Sequence, residues 1–243
     1  MPPLPSDAVP RPPEDFARLL ATKETLLLVG GQAVNLWALY YHSQTAELAP
    51  FVSRDVEVLG DRKTLTALGR VTGAKPQFFS VKPPTHAVGV LIAKDSQGLP
   101  LLIEVLRDVH GVSNEELREP VYTVALGDVQ VQVPSPIAIL PAKIANVADL
   151  AQSGRQDARH MLILARLLPA YLRDLQRAAL AGEMPERRLI DYLERLLGVV
   201  TLAKAKKVLK SLKIDPAGFF AGLGDQRLPK QAAFLEKRLP RAL

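Results

Sequence analysis

The sequence predicts an α+β (α/β) protein, in which a domain with a mixed sheet precedes an all-helical part. Short apolar runs separated by turn residues fill the chain up to Ser135. From Pro136 onward, nearly all apolar residues recur with a period of about 3.6 residues. Six prolines fall within the first 13 residues, which predicts an extended arm. The predicted organisation is therefore a Pro-rich arm (1–13), a sheet domain (14–135) and a basic helical domain (136–243).

In the sheet domain, apolar runs and turn signals predict a series of short strands and two or three helices. The predicted strands are 26–29, 54–59, 77–81, 87–93, 99–106, 121–126 and 129–133, the last four forming two hairpins. The predicted helices are a short one at 14–22, then 33–41 and 62–71, the last capped by Asp61. Trp37, Phe78 and Phe79 are interpreted as core residues rather than as platforms for base stacking.

In the helical part, Ser135-Pro136 marks a helix start, because proline is tolerated in the first turn. The predicted helices are 137–152, 157–168, 170–181, 186–197, 202–212 and 229–239. Pro169 is expected to break or kink what would otherwise be one long helix.

Composition excludes several classes of function. The chain has no cysteine, which removes disulfides, thiolate zinc sites and cysteine nucleophiles. No run approaches the roughly 18 to 20 apolar residues that span a bilayer. The N-terminus lacks a basic region followed by an apolar core. We therefore predict a cytoplasmic protein with no membrane association.

The net charge of +6 is unevenly distributed along the chain. Residues 1–136 carry 12 Lys/Arg and 15 Asp/Glu, whereas residues 137–243 carry 19 and 10. A basic module suggests a polyanionic partner such as RNA, although basic residues also simply solvate helix surfaces. The run from Lys204 to Lys210 has both interpretations: an amphipathic helix with a solvated face, or a cradle for an RNA backbone.

Three acids form the main candidate site. Asp55 and Glu57 are two residues apart on one predicted strand, so their side chains share a face. Adjacent carboxylates repel each other unless a cation or a proton lies between them. Glu104 interrupts the apolar run 101–106, and would join the pair as a third metal ligand if its strand lay alongside, since three carboxylates can hold two metal ions. The alternatives are a solvated edge pair and, for Glu104, a salt bridge to Arg107.

Gly30-Gly31 lies between a predicted strand and a predicted helix. Backbone N–H groups at a helix N-terminus favour phosphate, and glycine permits close approach. The same pair could be merely a tight turn. Together with the acids, it indicates a site for a triphosphate and a divalent cation.

The segments Val29–Val34, Ser53–Leu59 and Ile103–Leu106 resemble the nucleotidyltransferase superfamily, whose fold is that of DNA polymerase β. Within that superfamily, the chain looks most like the AbiEii-type, abortive-infection toxin branch, over roughly residues 24–165. The resemblance implies transfer of a nucleoside monophosphate from an NTP to an acceptor hydroxyl of RNA or protein, with Mg²⁺ or Mn²⁺. It also implies a toxin–antitoxin or phage-defence role with an antitoxin protein as partner. An RNA acceptor, with tRNA as one case, would bind through the basic helical domain (136–243).

Residue roles follow from the same resemblance. Asp55 and Glu57 would bind the metal, and Glu104 would be the third acid, aiding deprotonation of the acceptor. Gly30, Gly31, Gln32 and Ser53 would contact the nucleotide. Lys143 would neutralise phosphate charge, and Asp157 would match the first acid of a later family motif.

The chain departs from the family pattern at several positions. Glu57 stands where a second aspartate is usual, Glu104 replaces aspartate as well, and His160 occupies the place of a second later acid. The longer glutamate stem makes octahedral Mg²⁺ geometry harder to impose. The alternative function is therefore a catalytically weakened module that binds nucleotide, RNA or a protein partner.

Overall fold

The computed structural model describes residues 9–80, 82, 85–95 and 97–243, and its central feature is a seven-stranded mixed sheet. The strands are β1 (Leu27–Val29), β2 (Asp55–Leu59), β3 (Gln77–Phe78), β4 (Ala87–Lys94), β5 (Pro100–Leu106), β6 (Val121–Leu126) and β7 (Val129–Pro134). Their order in the sheet is β3-β4-β5-β2-β1-β7-β6. The pairs β2–β5 and β1–β7 are parallel and the others antiparallel, which confirms the predicted α+β class with a mixed sheet.

Helices cover the sheet and form most of the second half. They are α1 (Gly30–Tyr40), α2 (His42–Thr45), α3 (Arg62–Thr72), α4 (Asn114–Leu117), α5 (Pro136–Asp149), α6 (Asp157–Leu180), α7 (Glu186–Thr201), α8 (Ala203–Ser211), α9 (Pro229–Ala233) and α10 (Leu239–Ala242). A π-helical turn, Phe234–Arg238, joins the last two. Short 3₁₀ helices occupy Pro13–Leu20, Ala46–Leu48 and Pro216–Phe220. No helix of the described chain combines the length and apolarity needed to cross a membrane.

Local sequence signals explain where several elements begin. The Asp61 carboxylate accepts hydrogen bonds from the N–H groups of Lys63 (2.8 Å) and Thr64 (3.0 Å), so Asp61 caps α3 as predicted. The Ser135 hydroxyl accepts from Ala138 N–H at 3.2 Å, and Pro136 opens α5. The β6–β7 hairpin turns between Leu126 and Val129, as expected.

Three predictions about elements require correction. Pro169 does not break the helix: α6 runs without interruption over 24 residues. The buried side chains of Leu164, Leu168 and Leu172 hold both halves against the core, which compensates for the hydrogen bond that proline cannot make. The strand expected at 77–81 is limited to Gln77–Phe78, and Val81 lies outside the described residues. Phe78 is 38% exposed and is not a core residue.

The hydrophobic core continues across the predicted boundary at residue 135. One cluster of buried residues extends from Phe16 to Phe234 and joins α1 to α6. Trp37 of α1 packs edge-on against Tyr171 of α6, with ring centroids 5.7 Å apart. The Tyr41 hydroxyl donates to Asp174 at 2.8 Å. The helical part is therefore packed directly on the sheet part.

The N-terminal arm is only partly described, because residues 1–8 lie outside the described chain. Arg11 exchanges backbone hydrogen bonds with Ser53, at 2.7 and 2.9 Å. Its guanidinium also binds Asp95 at 2.8 Å. This end of the arm is therefore attached beside the start of β2.

Candidate active site

Three acidic side chains meet on one face of the two central strands. Glu57 of β2 is the direct register partner of Glu104 on β5, and Asp55 precedes Glu57 by two residues. All three are partly exposed, whereas Val56 and Ile103 on the alternate face are buried. The parallel pairing of β2 and β5 thus brings together the acids that sequence reasoning grouped.

Gly30 and Gly31, the first two residues of α1 and here called the glycine loop, lie directly against Glu57. Val29, the residue before the loop, is the register partner of Glu57 in the β1–β2 pair. Gly31 N–H donates to Glu57 Oε2 at 3.3 Å. Gly30 has a φ of +64°, and a Cβ at this position would overlap the Glu57 carboxylate. Glycine is therefore required for both the turn and the close approach.

The environment favours the neutral form of each acid in the absence of a cation. Burial, and then the Asp55 charge, raise the pKa of Glu57 to about 7. Burial, and then the charges of Glu57 and Asp55, raise the pKa of Glu104 to about 8. Burial also raises the pKa of Asp55, against the opposing effects of Ser53 and Lys143. None of the three forms a salt bridge with the described residues, Arg107 included.

Ser53 and Gln32, both predicted to contact the nucleotide, have different surroundings. The Ser53 hydroxyl donates to Asp55 Oδ1 at 3.0 Å and lies beside Gly31, so it belongs to the acidic site. The buried Gln32 side chain donates to the Arg11 carbonyl at 3.0 Å and accepts from Asn35 at 3.0 Å. Its amide is used to hold the arm against α1, and it makes no contact with the acids.

Lys143 and Asp157 form a buried ion pair near the acids. Lys143 Nζ is 3.0 Å from Asp157 Oδ1, and their side chains are 5% and 4% exposed. Arg155 Nε approaches Asp157 at 2.7 Å, and Asn146 donates to it at 3.2 Å. Burial opposes ionisation of Asp157, but Lys143, Arg155 and Asn146 together outweigh it and lower the pKa to about 2. The Lys143 ammonium has three N–H donors, so it could bind a phosphate only from this buried position, with one donor already used by Asp157.

Asn146 is a member of this cluster that sequence reasoning missed. It lies three residues after Lys143 on α5, and that helical spacing was the available signal.

The contacts of His160, like those of Asn146, were not predicted from the sequence. It is 4% exposed, and neither ring nitrogen has a hydrogen-bond partner within the described chain. Its ring lies beside Gly31. Burial, and then the Lys143 charge, lower its pKa well below the ordinary value, so the imidazole is neutral. A buried neutral imidazole without a partner can donate to, or accept from, a ligand at the glycine loop.

The N-terminus of α6 is attached to the segment that leads into β2. The Arg159 guanidinium donates to the carbonyls of Leu48 and Pro50. Gln156 donates to the Val52 carbonyl at 3.3 Å. These contacts place Asp157 and His160 beside Ser53 and Asp55, although about 100 residues separate them in sequence.

The donor set fits a divalent cation only in part. Three partly buried carboxylates without a cationic partner have the hard oxygen ligands that Mg²⁺ prefers. Among the described residues, however, no three His, Asp or Glu side chains are grouped so as to hold an ion by themselves. A cation here would therefore need Asp55 and Glu57 together with ligand oxygens or water, which is usual for Mg²⁺ in phosphate-binding sites.

Comparisons with known proteins leave the family open. No protein-family model matches the chain, and no curated protein matches it significantly. Among solved structures, the chain is similar to an antigenic nucleotidyltransferase-like protein from Paracoccidioides brasiliensis. The identity is 15%, the TM-score is 0.40, and the match covers 88% of this chain and 95% of the other. Similarity at this level carries no argument about fold or activity.

Proposed function

We propose that this protein is a nucleotidyltransferase that moves a nucleoside monophosphate from an NTP to an acceptor hydroxyl. One observation carries the proposal: the Gly30-Gly31 loop contacts Glu57, the register partner of Glu104. A backbone site suited to phosphate is thereby placed against acids suited to a cation. The family resemblance of the three segments in Sequence analysis supports the same reaction.

The residues of the site have different roles in the proposed reaction. Backbone N–H groups of the glycine loop, and His160 beside it, would bind phosphate oxygens. Bound Mg²⁺, held by Asp55 and Glu57, would neutralise phosphate charge during the transfer. Lys143, held in place by its ion pair with Asp157, would supply a fixed positive charge behind the acids.

Glu104 is proposed as the group that receives the proton. With a pKa of about 8, its ionised form is a stronger base than an ordinary glutamate. As the acceptor oxygen bonds to the α-phosphorus, its proton would pass to the Glu104 carboxylate. The bond between the α-phosphorus and the bridging oxygen breaks, and pyrophosphate leaves. Orientation of the two substrates supplies much of the acceleration.

The reaction is tested by incubating the protein with each α-³²P-labelled NTP, Mg²⁺ or Mn²⁺, and cell extract fractionated into RNA and protein. We expect label transfer by the wild type, and a loss of about 100-fold or more in Asp55→Asn and Glu57→Gln. The matched control is Glu115→Gln, which removes an exposed carboxylate on α4 and should retain full transfer. A folded Asp55→Asn variant with full activity would falsify the proposal.

The second candidate function is a nucleotide-binding module with little catalysis. One observation favours it: among the described residues, no three His, Asp or Glu side chains are grouped so as to hold a cation by themselves. The two functions differ in their response to metal. If Mg²⁺ or Mn²⁺ produces no heat and no thermal shift in the presence of NTP, the module is favoured and the transferase is not.

The acceptor and the biological role rest on the resemblance alone. That resemblance suggests RNA, with tRNA as one case, and a toxin–antitoxin or phage-defence context with an antitoxin partner. Induced expression should then arrest bacterial growth, and Asp55→Asn should relieve the arrest at equal protein level. Equal toxicity of the two proteins would argue against a role for transfer in the arrest.

A further inference from the structure

A groove rich in cationic side chains lies beside helix α3, away from the acidic site. Two adjoining pockets of about 600 and 430 Å³ share Glu24, Leu26, Lys63 and Thr64, and together form this groove. Six cationic side chains line it: Lys23, Arg62, Lys63, Arg70, Arg107 and Arg118. We call these residues and their shared walls the α3 groove.

The six cations of the α3 groove outnumber its two carboxylates, Glu24 and Asp61. None of the six forms a salt bridge within the part of the chain that the structure describes. Of the two acids in the groove, Asp61 is already engaged by the N-terminus of α3. Arg107 Nε is buried and has no hydrogen-bond partner there either. This concentration of positive charge favours a polyanion.

The helical part holds its charge differently, although it contains more cations. Many of its arginines pair with neighbouring acids, including Arg155, Arg166, Arg177, Arg187, Arg227 and Arg238. These pairs therefore neutralise part of the basic excess of residues 137–243. The α3 groove offers unneutralised charge in a concave surface, which a convex helix face does not.

Arg62, which lines the groove, stacks on an aromatic ring, and this favours a nucleic acid over other polyanions. The Arg62 guanidinium lies over the Phe78 ring, 4.0 Å from its centroid, and Phe78 is exposed on the edge strand β3. Unstacked bases bind to such arginine and aromatic faces, whereas an acidic peptide has no equivalent group. The bases of a duplex are stacked inside it, so the geometry favours a single strand.

The remaining polar groups of the groove suit ribose and phosphate. Thr25, Asn114 and Gln132 line the second pocket and offer hydroxyl and amide groups to a 2′-hydroxyl. We propose that the α3 groove binds single-stranded RNA, with the backbone along the cations and one base on the Arg62–Phe78 stack. This proposal does not depend on the transfer reaction.

The α3 groove is also separate from the proposed triphosphate site. It is lined by Leu59 and Gly60 at the end of β2, whereas Asp55 begins that strand. Four residues of extended chain separate the two ends by about 13 Å. RNA in the groove would therefore lie at the other end of the strands from the acids.

The test measures fluorescence anisotropy of 5′-fluorescein-labelled U20 RNA with the full-length protein at 50 to 200 mM KCl. We expect Lys63→Glu/Arg70→Glu to weaken binding at least tenfold and to reduce its salt dependence. The matched control, Lys206→Glu/Lys207→Glu, makes the same charge change on exposed positions of α8 and should alter binding less than twofold. A control variant that weakens binding as much as the groove variant would overturn the proposal.

Two further binding experiments test the chemical class of the ligand. Phe78→Ala should weaken U20 binding about fivefold, because the Arg62 guanidinium on which a base would stack loses the ring that supports it. If Phe78→Ala left the affinity for U20 unchanged, and poly-L-glutamate of matched charge competed as well as RNA, the proposed ligand would be wrong. An acidic peptide would then be the favoured ligand. Labelled dU20 should bind at least threefold more weakly than U20, and equal affinity would overturn the choice of RNA over DNA.

A measurement on the wild type keeps the test independent of variant folding. Bound U20 should protect Lys23 and Lys63 from chemical acetylation and leave Lys206 and Lys207 accessible. Protection confined to the lysines of α8 would contradict the α3 groove as the binding surface.

Discussion

At the scale of single residues, the acids of the central strands are costly to ionise without a cation. Because the folded state raises the pKa of Glu57 to about 7 and of Glu104 to about 8, from an ordinary 4.5, it binds more protons than the unfolded chain between these values. The free energy of unfolding therefore falls as pH rises through this window. The native cluster is most stable when protonated or occupied by a cation.

This linkage gives a prediction for stability. In EDTA, the wild type should lose on the order of 1 to 3 kcal/mol of unfolding free energy between pH 5.5 and 8.5. Glu104→Gln should flatten the dependence, since the neutral amide no longer titrates beside Glu57. Urea denaturation at the two pH values measures both, and Glu115→Gln serves as the control with an unaltered slope. A wild-type slope in Glu104→Gln would show that the acids are not desolvated as described.

Also at the residue scale, the polar partners of the site show how far sequence reasoning extends. The acids and Gly30-Gly31 were identifiable because residue type and spacing carry their chemistry. Lys143 and Asp157 were identified as candidate site residues, but the 3.0 Å ion pair between them was not predicted. Nor did the sequence reveal that Gln32 holds the arm. These partners depend on which surfaces meet in three dimensions.

At the scale of elements, the turn from β1 into α1 depends on glycine for two separable reasons. Gly30 has a φ of +64° and lies against Glu57, whereas Gly73, at the end of α3, has a φ of +68° and open space around its Cα. Both positions therefore share the left-handed backbone. Only at Gly30 would a Cβ also overlap the Glu57 carboxylate.

The comparison predicts unequal costs of alanine. Gly73→Ala should destabilise the protein by about 1 kcal/mol through strain of the left-handed backbone. Gly30→Ala adds overlap with the Glu57 carboxylate, so we expect at least twice the loss, measured by urea denaturation, and loss of nucleotide-dependent thermal shift. Equal losses in the two variants would mean that Glu57 moves aside at no cost.

Element boundaries show the same division between local and tertiary causes. The starts of α3 and α5 were predictable because Asp61 and Ser135 cap their own helices. The continuity of α6 through Pro169 was not, because the compensating contacts come from distant core residues. The predicted strand at 77–81 was too long, because the register pairing with β4 covers Gln77 and Phe78 and is followed by only one further backbone hydrogen bond, from Phe79 N–H to the Val88 carbonyl at 2.9 Å.

At the scale of the whole molecule, the sheet part and the helical part share one core. Trp37, the only tryptophan in the sequence, lies at this contact and donates to the Pro134 carbonyl at 2.8 Å. Its fluorescence therefore reports directly on the junction of the two parts.

We expect a single cooperative unfolding transition. Trp37 fluorescence and far-UV circular dichroism should give the same urea midpoint, because loss of either part exposes core that belongs to both. Tyr171→Leu, which removes an aromatic contact of Trp37, should shift both midpoints together. Separate midpoints for the two signals would indicate that residues 14–135 and 136–243 unfold independently.

The sequence by itself determined the α+β class, the change to helices at Pro136, and the residues of the acid and glycine motifs. Those features depend on periodicity, caps and residue chemistry, which are local. Only the tertiary structure decided that β2 and β5 pair in parallel, bringing Glu57 opposite Glu104, and that His160 lies beside Gly31. It also decided which cations remain unneutralised, because ion pairs form between surfaces that folding brings together.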